Sequence, residues 1–503
     1  MGETHNNEAL RRESQDAMKE ENIKFPEEAH QILGKLGDAG FEAFVVGGCL
    51  RDAMLGRPPK DWDVTTSASP EEIQKLFPDS FYENQFGTVG VKTGSKDPGV
   101  AVIEVTTFRS DLGYSDKRHP DRIEFAKNIE EDLARRDFTI NAMAHDGTRL
   151  VDPFAGAKDL EDKVIRAVGE PNKRFSEDAL RLMRAVRFAT DLGFDIEERT
   201  QAAVREHAGL LEMIAKERIA DELKKIIMTD HADRGIELLR KQELLRYILP
   251  ELGEGFGVGQ NRHHIYTVWE HNVLALKYAA EQKYSFHARL ASLLHDVGKP
   301  RTKQGDGPDS TFYGHEAVGG NMAAQMLTRL RFSKDDIEKV ALLVRNHMFQ
   351  SDPDKVTPAG VRRLVARAGQ ENITELLQVR EADRIGSGVP KARPYRLRYF
   401  MFLVEKVQTE PTSRKQMAIN GDEVMEILDI KPGPRVGAII DALFEEVLDD
   451  PSRNTKEYLI NKMQELNKFS DEELSELRRK AQEKYRAVLE EEEAEIKAKY
   501  YVR

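Results

Sequence analysis

Asp61 and Asp63 stand two apart in FVVGGCLRDAMLGRPPKDWDVTT, with Asp61 thirteen residues after Gly48. Residues two apart on a strand share a face, so both carboxylates can reach the same pair of divalent cations. A two-metal site of this kind activates an attacking hydroxyl and neutralises a triphosphate leaving group. Upstream, an apolar run enters Gly47 and Gly48, which free backbone N–H groups at a helix start, and Arg51 follows within one turn. That is a phosphate cradle with a cation beside it. A double glycine alone is commonly a turn and Asp-x-Asp alone a capped loop, so the reading rests on the two together. Glu104, in VIEVTTFR, alternates with apolar neighbours and offers either a third carboxylate or a salt-bridged strand residue.

A second concentration of chemistry lies further on, where seven of the thirteen histidines fall between positions 263 and 347. His271 sits on an amphipathic pattern, His295 and Asp296 end the apolar run LASLLHDVGKP, and His315, His347 and Asp383 follow in YGHEAVGG, VRNHM and READRIG. Imidazole and carboxylate together suit one or two borderline metals. A single such histidine is more often a satisfied core residue; the group around His295-Asp296 is harder to explain that way.

The third feature is EDALRLMRAVRF, residues 177–188, which spaces Asp178, Arg181, Arg184 and Arg187 three apart. On one continuous helix they fall at roughly 0°, 300°, 240° and 180°, opposite Leu182, Met183, Val186 and Ala189. Taken alone this is a solvated helix face with a weak Asp178–Arg181 pair.

The elements that must hold these groups follow from periodicity. From Phe25 to about Ala144 helix and strand patterns mix: a helix to Ala39, a strand FEAFVV, a helix after GGCLRD, then TVGVKTG and GVAVIEVTTF. From Asp152 on the period is helical apart from a short VIRAV stretch. The expected division is a polar N-terminal extension (1–24), an α+β catalytic domain (25–150), an all-α neck and body (151–254), an all-α metal-binding domain (255–400), a helical tail (401–466) and a charged C-terminal helix (467–503). The glycine-rich GEGFGVGQN at 253–261 marks the best internal boundary.

At 503 residues the chain is too long for one core, and its net charge of −12 argues against indiscriminate coating of nucleic acid. Local basic grooves remain open at VRRLVARAG (361–369) and KARPYRLRYF (391–400), each of which reads equally as a solvated helix face. No apolar run approaches the roughly 18 residues of a membrane span, and no signal peptide opens the chain. A single cysteine, Cys49, agrees with a reducing compartment. The expected location is cytoplasmic, with no membrane partner, and no oligomeric state is assigned.

GGCLRDAMLG…DWD, EEDLARRDFTINAMA at 130–144, DPFAGAKDL at 152–160 and EDALRLMRAVRF resemble, in order, the motifs of the class II tRNA nucleotidyltransferase and bacterial poly(A) polymerase family. The resemblance covers about residues 25–250. It implies a polymerase-β-like catalytic domain and addition of CCA to tRNA 3′ ends from CTP and ATP without a nucleic-acid template. Carried over, Asp61 and Asp63 bind Mg²⁺, Gly48 and Arg51 hold the triphosphate, and Arg136 contacts the nucleotide. Asp137 and Asn141 become sugar or structural contacts, while Cys49 stands where Val or Ala is expected. The ladder then gains a mechanism. Cytosine and adenine present an amino donor beside a bare ring nitrogen, whereas uracil and guanine present a carbonyl beside a ring N–H. Asp178 accepting and Arg181 donating would take C and A and reject U and G. Arg184 and Arg187 are left for phosphates or for holding those two side chains.

The segment SDLGYSDKRHPDRIEF at 110–125 resembles the flexible loop of CCA-adding and A-adding members, which CC-only members lack. Full CCA addition is favoured, with A addition or polyadenylation as the alternative. Residues 265–390 resemble the HD superfamily of metal-dependent phosphohydrolases. His271, His295, Asp296 and Asp383 meet its basic pattern, and His315 with His347 complete the binuclear set. This implies phosphatase or 2′,3′-cyclic phosphodiesterase-like activity with Mg²⁺, Mn²⁺, Ni²⁺ or Fe²⁺, and Lys299 near the phosphate. The tail is expected to grip tRNA by shape. A nucleotide-sensing RNA-binding regulator with a vestigial polymerase site, and a metal-free structural HD fold, are the rivals.

Overall fold

The computed structural model describes residues 23–84, 87–112, 122–261, 265–409, 417–449 and 451–477, with 479, 494 and 497–502. Most of the expected N-terminal extension and much of the expected C-terminal helix lie outside these residues, as does the tip of the expected flexible loop.

Nine strands build the N-terminal part: β1 (Ala43–Val46), β2 (Asp63–Thr66), β3 (Ser80–Asn84), β4 (Thr88–Lys92), β5 (Val102–Thr107), β6 (Arg109–Leu112), β7 (Arg122–Phe125), β8 (Ala144–His145) and β9 (Leu150–Val151). Seven form one mixed sheet in the order β3-β4-β5-β2-β1-β8-β9, in which β2 and β5 run parallel. β6 and β7 form a separate antiparallel hairpin whose ends are the described part of the segment 110–125. β1, AFVV, is buried at every position, as a central strand covered on both faces must be. Phe44 and Val46 pack with Phe108, Ile129, Leu133, Ala142, Ala144 and Val168. The α+β expectation for this part holds, as does the short VIRAV strand, seen as β10 (Val164–Ile165) paired in parallel with β11 (Asp195–Ile196).

Beyond Asp152 the chain is mostly helical. The helix Leu180–Leu192 buries Leu182, Met183, Val186 and Ala189 and packs on the helices Lys216–Ile227 and Ala232–Lys241. Four further helices frame the histidines: Val268–Glu281, Phe286–Leu294, His315–Arg329 and Lys334–Asn346. All of this, with residues 375–389, is one compact unit. The second compact unit comprises residues 348–374 and 390–503. It contains the helices Pro358–Ala368 and Tyr395–Thr409, which carry the two basic stretches, and a core of Met417, Ile419, Val424, Ile439, Leu443, Leu459 and Met463. The compact division therefore falls after His347, inside the expected segment 255–400.

One expectation about local structure is corrected. Asp178 is not on the helix that carries the arginines: the helix Pro171–Glu177 ends before it, and its backbone is extended (φ −130°, ψ 103°). Its Oδ1 accepts a hydrogen bond from the backbone N–H of Leu180 at 3.0 Å. An Asx turn of this kind, from a side chain to the backbone two residues on, competes with continuation of the helix.

Candidate functional site

Asp61 lies in the bend before β2, Asp63 opens the strand, and Trp62 between them is buried with its ring edge-on to Phe25 at 5.7 Å. Anchoring Trp62 inward turns the two flanking carboxylates outward together. Cys49 lies beneath them: its thiol donates to Val46 O at 3.0 Å, and the Asp63 N–H lies 3.4 Å from its sulfur. Burial, then the Asp63 charge, push this thiol up to about 12, so it is an inert packing group. Gly47 adopts φ +77°, and a Cβ there would lie 3.0 Å from Arg136 Nη1 and 3.8 Å from Asp63 Oδ2. The positive φ favours glycine here, and a Cβ would also press on the Arg136 guanidinium.

A cleft of about 500 Å³ is lined by Gly47, Gly48, Arg51, Asp61, Asp63 and Arg136, by Arg135, Asp137 and Asn141, and by Asp178, Arg181, Arg184, Arg187 and Phe188. The structure thus brings together every sequence-derived residue of this centre except Glu104. Glu104 is Asp63's register partner on β5 and is exposed, beside the cleft lining.

The arginines are held by protein partners. Arg51 donates to Asn141 Oδ1 at 2.8 Å and to Asp52, and Asn141 donates to Asp137 Oδ1 at 3.1 Å. Asp137 also takes Arg184 Nε at 2.7 Å; burial alone would raise its carboxyl, but Arg184 and Asn141 hold it well below the usual range. Arg187 donates to Glu222 Oε2 at 2.6 Å on the helix Lys216–Ile227. Arg181 uses three of its five N–H groups on Arg174 O (3.1 Å), Glu177 Oε2 (3.0 Å) and Arg135 O (3.0 Å). Asp178 Oδ2 is held by Arg218 at 3.4 Å. Phe188 serves three guanidinium groups, with Arg187 at 3.9 Å and Arg51 and Arg184 each at 5.1 Å from its ring centre.

Sequence reasoning did not find Asp132, Glu177, Arg218 or Glu222. Asp132 is fully buried and binds both Arg135 (2.7 Å) and Arg136 (3.3 Å). Its only sequence signal was an acidic residue one turn before an Arg-Arg pair.

The histidine cluster is built by helix ends. Thr267 and Glu270 form a capping box that starts the helix Val268–Glu281, setting His271 on its buried face. His295 and Asp296 follow the end of the largely buried helix Phe286–Leu294, and a Cβ at Gly298 would lie 2.3 Å from His315 O. Nε2 of His271 is 2.8 Å from that of His295, 3.1 Å from Asp296 Oδ2 and 3.4 Å from Asp383 Oδ1. Across Asp296, its Oδ1 is 3.2 Å from His315 Nε2 and 3.7 Å from His347 Nε2. All six sequence-derived ligands therefore meet. Five of them form two groups, His271-His295-Asp296 and Asp296-His315-His347, that share one carboxylate, and Asp383 lies against His271 and His295 of the first.

Nδ1 of His295, His315 and His347 donates to Ser292 O, Phe312 O and Val344 O at 2.7–2.8 Å. A carbonyl only accepts, so the proton is fixed on Nδ1 and Nε2 is aimed inward. His315 Nε2 is buried with no hydrogen-bond partner among the described residues. Burial alone would depress His295, but Asp296 and Asp383 outweigh it and push its imidazole up to about 10; burial and the His295 charge push His347 down to about 3. Imidazole nitrogens crowded on shared carboxylates fit divalent metal, with Asp296 able to bridge two ions. Arg380 Nη1 holds Asp383 Oδ2 at 2.6 Å and so turns its other oxygen toward His271 and His295.

Three family models match: the poly A polymerase head domain over residues 43–166, the probable RNA and SrmB-binding site of polymerase A over 193–255, and the HD domain over 261–387. The A-adding tRNA nucleotidyltransferase of Deinococcus radiodurans is 40% identical over 340 residues, which is 65% of this chain and 76% of that protein. The CCA-adding enzyme of Pediococcus pentosaceus is 33% identical over 449 residues, 88% of this chain and 98% of that protein. Among solved structures, the Bacillus stearothermophilus CCA-adding enzyme in complex with CTP has a TM-score of 0.55 at 28% identity, over 88% of this chain and 97% of that one. The Thermotoga maritima CCA-adding enzyme complexed with tRNA shares the fold at TM-score 0.52 and 21% identity, over 90% and 98%. Among the described residues no helix is long and apolar enough to cross a membrane. With similarity running nearly end to end across a head, an RNA-binding segment and an HD domain, the chain belongs to the family of tRNA nucleotidyltransferases that holds the CCA-adding and A-adding enzymes.

Proposed function

We propose that this chain adds CCA to tRNA 3′ ends from CTP and ATP in the cleft, and that its HD centre is a metal-dependent phosphohydrolase acting on phosphomonoesters or 2′,3′-cyclic phosphates. The observation that carries the first part is the convergence of Asp61, Asp63, Gly47, Gly48, Arg51, Arg136, Asp178 and Arg181 on one cleft of about 500 Å³. That volume suits a nucleotide. Asp61 and Asp63 are the hard oxygen donors that Mg²⁺ prefers, with Glu104 beside them as a third carboxylate. The metal would supply charge neutralisation at the triphosphate and activation of the tRNA hydroxyl.

The protein supplies the rest. Arg51 and Arg136 face the phosphates from the glycine turn, held by Asn141 and Asp132 so that their positions are set before substrate enters. Asp178 and Arg181 select the base, the carboxylate accepting from the amino group shared by C and A and the guanidinium donating to the bare ring nitrogen. Arg184 and Arg187 have Asp137 and Glu222 as partners, so their part is to brace the cleft wall.

A tRNA lacking its last three residues, incubated with labelled CTP, tests this reading: CMP incorporation supports it, and incorporation of AMP alone, onto tRNA already ending in CC, would leave A addition. That second reading is favoured by the Deinococcus radiodurans relative, an A-adding enzyme at 40% identity.

In the HD centre, His271, His295, Asp296 and Asp383 would hold one divalent ion and Asp296, His315 and His347 a second, from among Mg²⁺, Mn²⁺, Ni²⁺ and Fe²⁺. The ions would supply an activated water. Release of phosphate, or opening of a 2′,3′-cyclic nucleotide, on metal addition tests it; persistence of that activity in Asp296→Ala would place it elsewhere. With such substrates and a single buried Cys49, the protein's place is the cytoplasm.

A further inference from the structure

Lys299 is a lysine buried at 7% exposure inside the HD centre, which is unusual for a charge that needs water or a partner. Its Nζ lies 2.5 Å from Asp296 Oδ2 and donates to Gln260 Oε1 at 2.6 Å, and the Phe312 ring centre is 5.6 Å away. Asp296 Oδ2 is also the oxygen that faces His271 (3.1 Å) and His295 (3.3 Å). An ion held by these three groups would lie about 2.0–2.6 Å from that oxygen. The ammonium and the metal therefore require the same carboxylate lone pairs, and two positive charges would crowd one another in a site with almost no water to screen them.

Gln260 is the other partner of Lys299. It is buried, and its amide is oriented: Nε2 donates to Tyr266 O at 3.2 Å, which leaves Oε1 facing the ammonium. It lies in the glycine-rich stretch 253–261 that reads from sequence as the best internal boundary, and from there it reaches Lys299 in the HD centre.

We propose that Lys299 and a divalent metal compete for the Asp296 carboxylate, and that Gln260 is the positioning residue that receives the displaced ammonium and keeps it inside the centre. Lys299 then has two states. Without metal it neutralises Asp296; with metal it rests on Gln260 beside the ions, available to a phosphate oxygen. The inference rests on the metal binding proposed for this centre.

The test uses the full chain carrying Asp61→Asn and Asp63→Asn, so that calorimetric titration with Mn²⁺ reads the HD centre alone. Lys299→Met should bind Mn²⁺ about tenfold more tightly than the parent, because a competing charge is gone. Lys299→Gln, a polar replacement that retains a hydrogen-bonding group, should also tighten binding. Gln260→Leu should weaken Mn²⁺ binding about threefold, since the displaced ammonium loses its acceptor, and should have no effect once Lys299→Met is present. Inorganic phosphate binding to the Mn²⁺-loaded protein should fall about tenfold in Lys299→Met and in Gln260→Leu. A merely structural Gln260 would weaken binding equally in both backgrounds, and that result overturns the inference. So does Mn²⁺ affinity that is unchanged or lower in both Lys299 variants. No Mn²⁺ binding to the parent would defeat the proposed metal centre as well, whereas parental binding with unchanged Lys299 variants defeats the competition alone.

Discussion

In the nucleotide cleft each arginine of the ladder meets a carboxylate or carbonyl of the protein, whereas in the HD centre the imidazoles meet one another. Arg184 has Asp137, Arg187 has Glu222, and Arg181 has Glu177 and two backbone carbonyls. These pairs hold the cleft's geometry with nothing bound, and binding is then a matter of filling a preformed slot. The HD centre is different: four imidazole nitrogens and two carboxylates make contacts of 2.8–3.7 Å, with Lys299 and Arg380 against the carboxylates. The cleft's arginines are braced by protein partners, whereas the HD centre's imidazoles and carboxylates face one another.

The sharpest way to break that contrast is to disable each centre and ask about the other. Asp63→Asn should lower nucleotide incorporation by about a thousandfold, the several kcal/mol that metal charge stabilisation supplies, while leaving HD phosphate release within about twofold. Asp296→Ala should do the reverse: hydrolysis falls by about a hundredfold or more and both halves of the metal site are lost, because one carboxylate serves both groups. Nucleotide incorporation continuing at the parental rate in Asp296→Ala checks that the fold survives.

The preformed cleft predicts a stability effect as well. Asp137→Asn leaves Arg184 without its carboxylate and should cost about 3 kcal/mol at pH 7. The native carboxyl is depressed by Arg184 and Asn141, so its stabilisation is present above the unfolded value near about 4 and is lost as pH falls below it. Thermal melting of the parent and variant should therefore differ most at pH 7, and the gap should narrow progressively as pH falls from about 4 toward the still lower folded value. A gap that stays constant would mean Asp137 acts by shape and not by charge.

A smaller effect is expected at the selecting pair. Arg181→Ala should relax discrimination against UTP and GTP by about tenfold, the worth of one charge-assisted hydrogen bond. An enzyme that still rejects both as well as the parent would show that Arg181 only ties the ladder helix to Glu177 and Arg135.

Much of both sites is legible in the sequence, for a physical reason. Asp61 and Asp63 flank a tryptophan that has to be buried, so the two carboxylates turn out together even though Asp61 lies in the bend before the strand. The HD ligands are residue types that seldom crowd together without a metal. What sequence does not carry is long-range pairing: Glu222 braces Arg187 from 35 residues away, and Gln260 reaches Lys299 across 39. The ladder marks a second limit. Apolar spacing continues through Asp178, so periodicity sees one helix, while a single hydrogen bond from the Leu180 N–H to the Asp178 carboxylate breaks it. That break removes the opposed directions that a continuous helix would give Asp178 and Arg187, and the cleft gathers both. The apolar helices and the mixed sheet follow the expected pattern, whereas the compact division after His347 depends on how helices dock and leaves no local mark.

Transfer of nucleotides to tRNA in the cleft, with C and A read by protein side chains, is tested most directly by single-nucleotide incorporation by the parent and by Asp63→Asn, on tRNA lacking one, two or three terminal residues. CMP should go onto the two shorter tRNAs and AMP onto the tRNA ending in CC, with no incorporation by the variant. CMP or AMP transfer that persists in Asp63→Asn, or a parent inert on all three tRNAs, would contradict it.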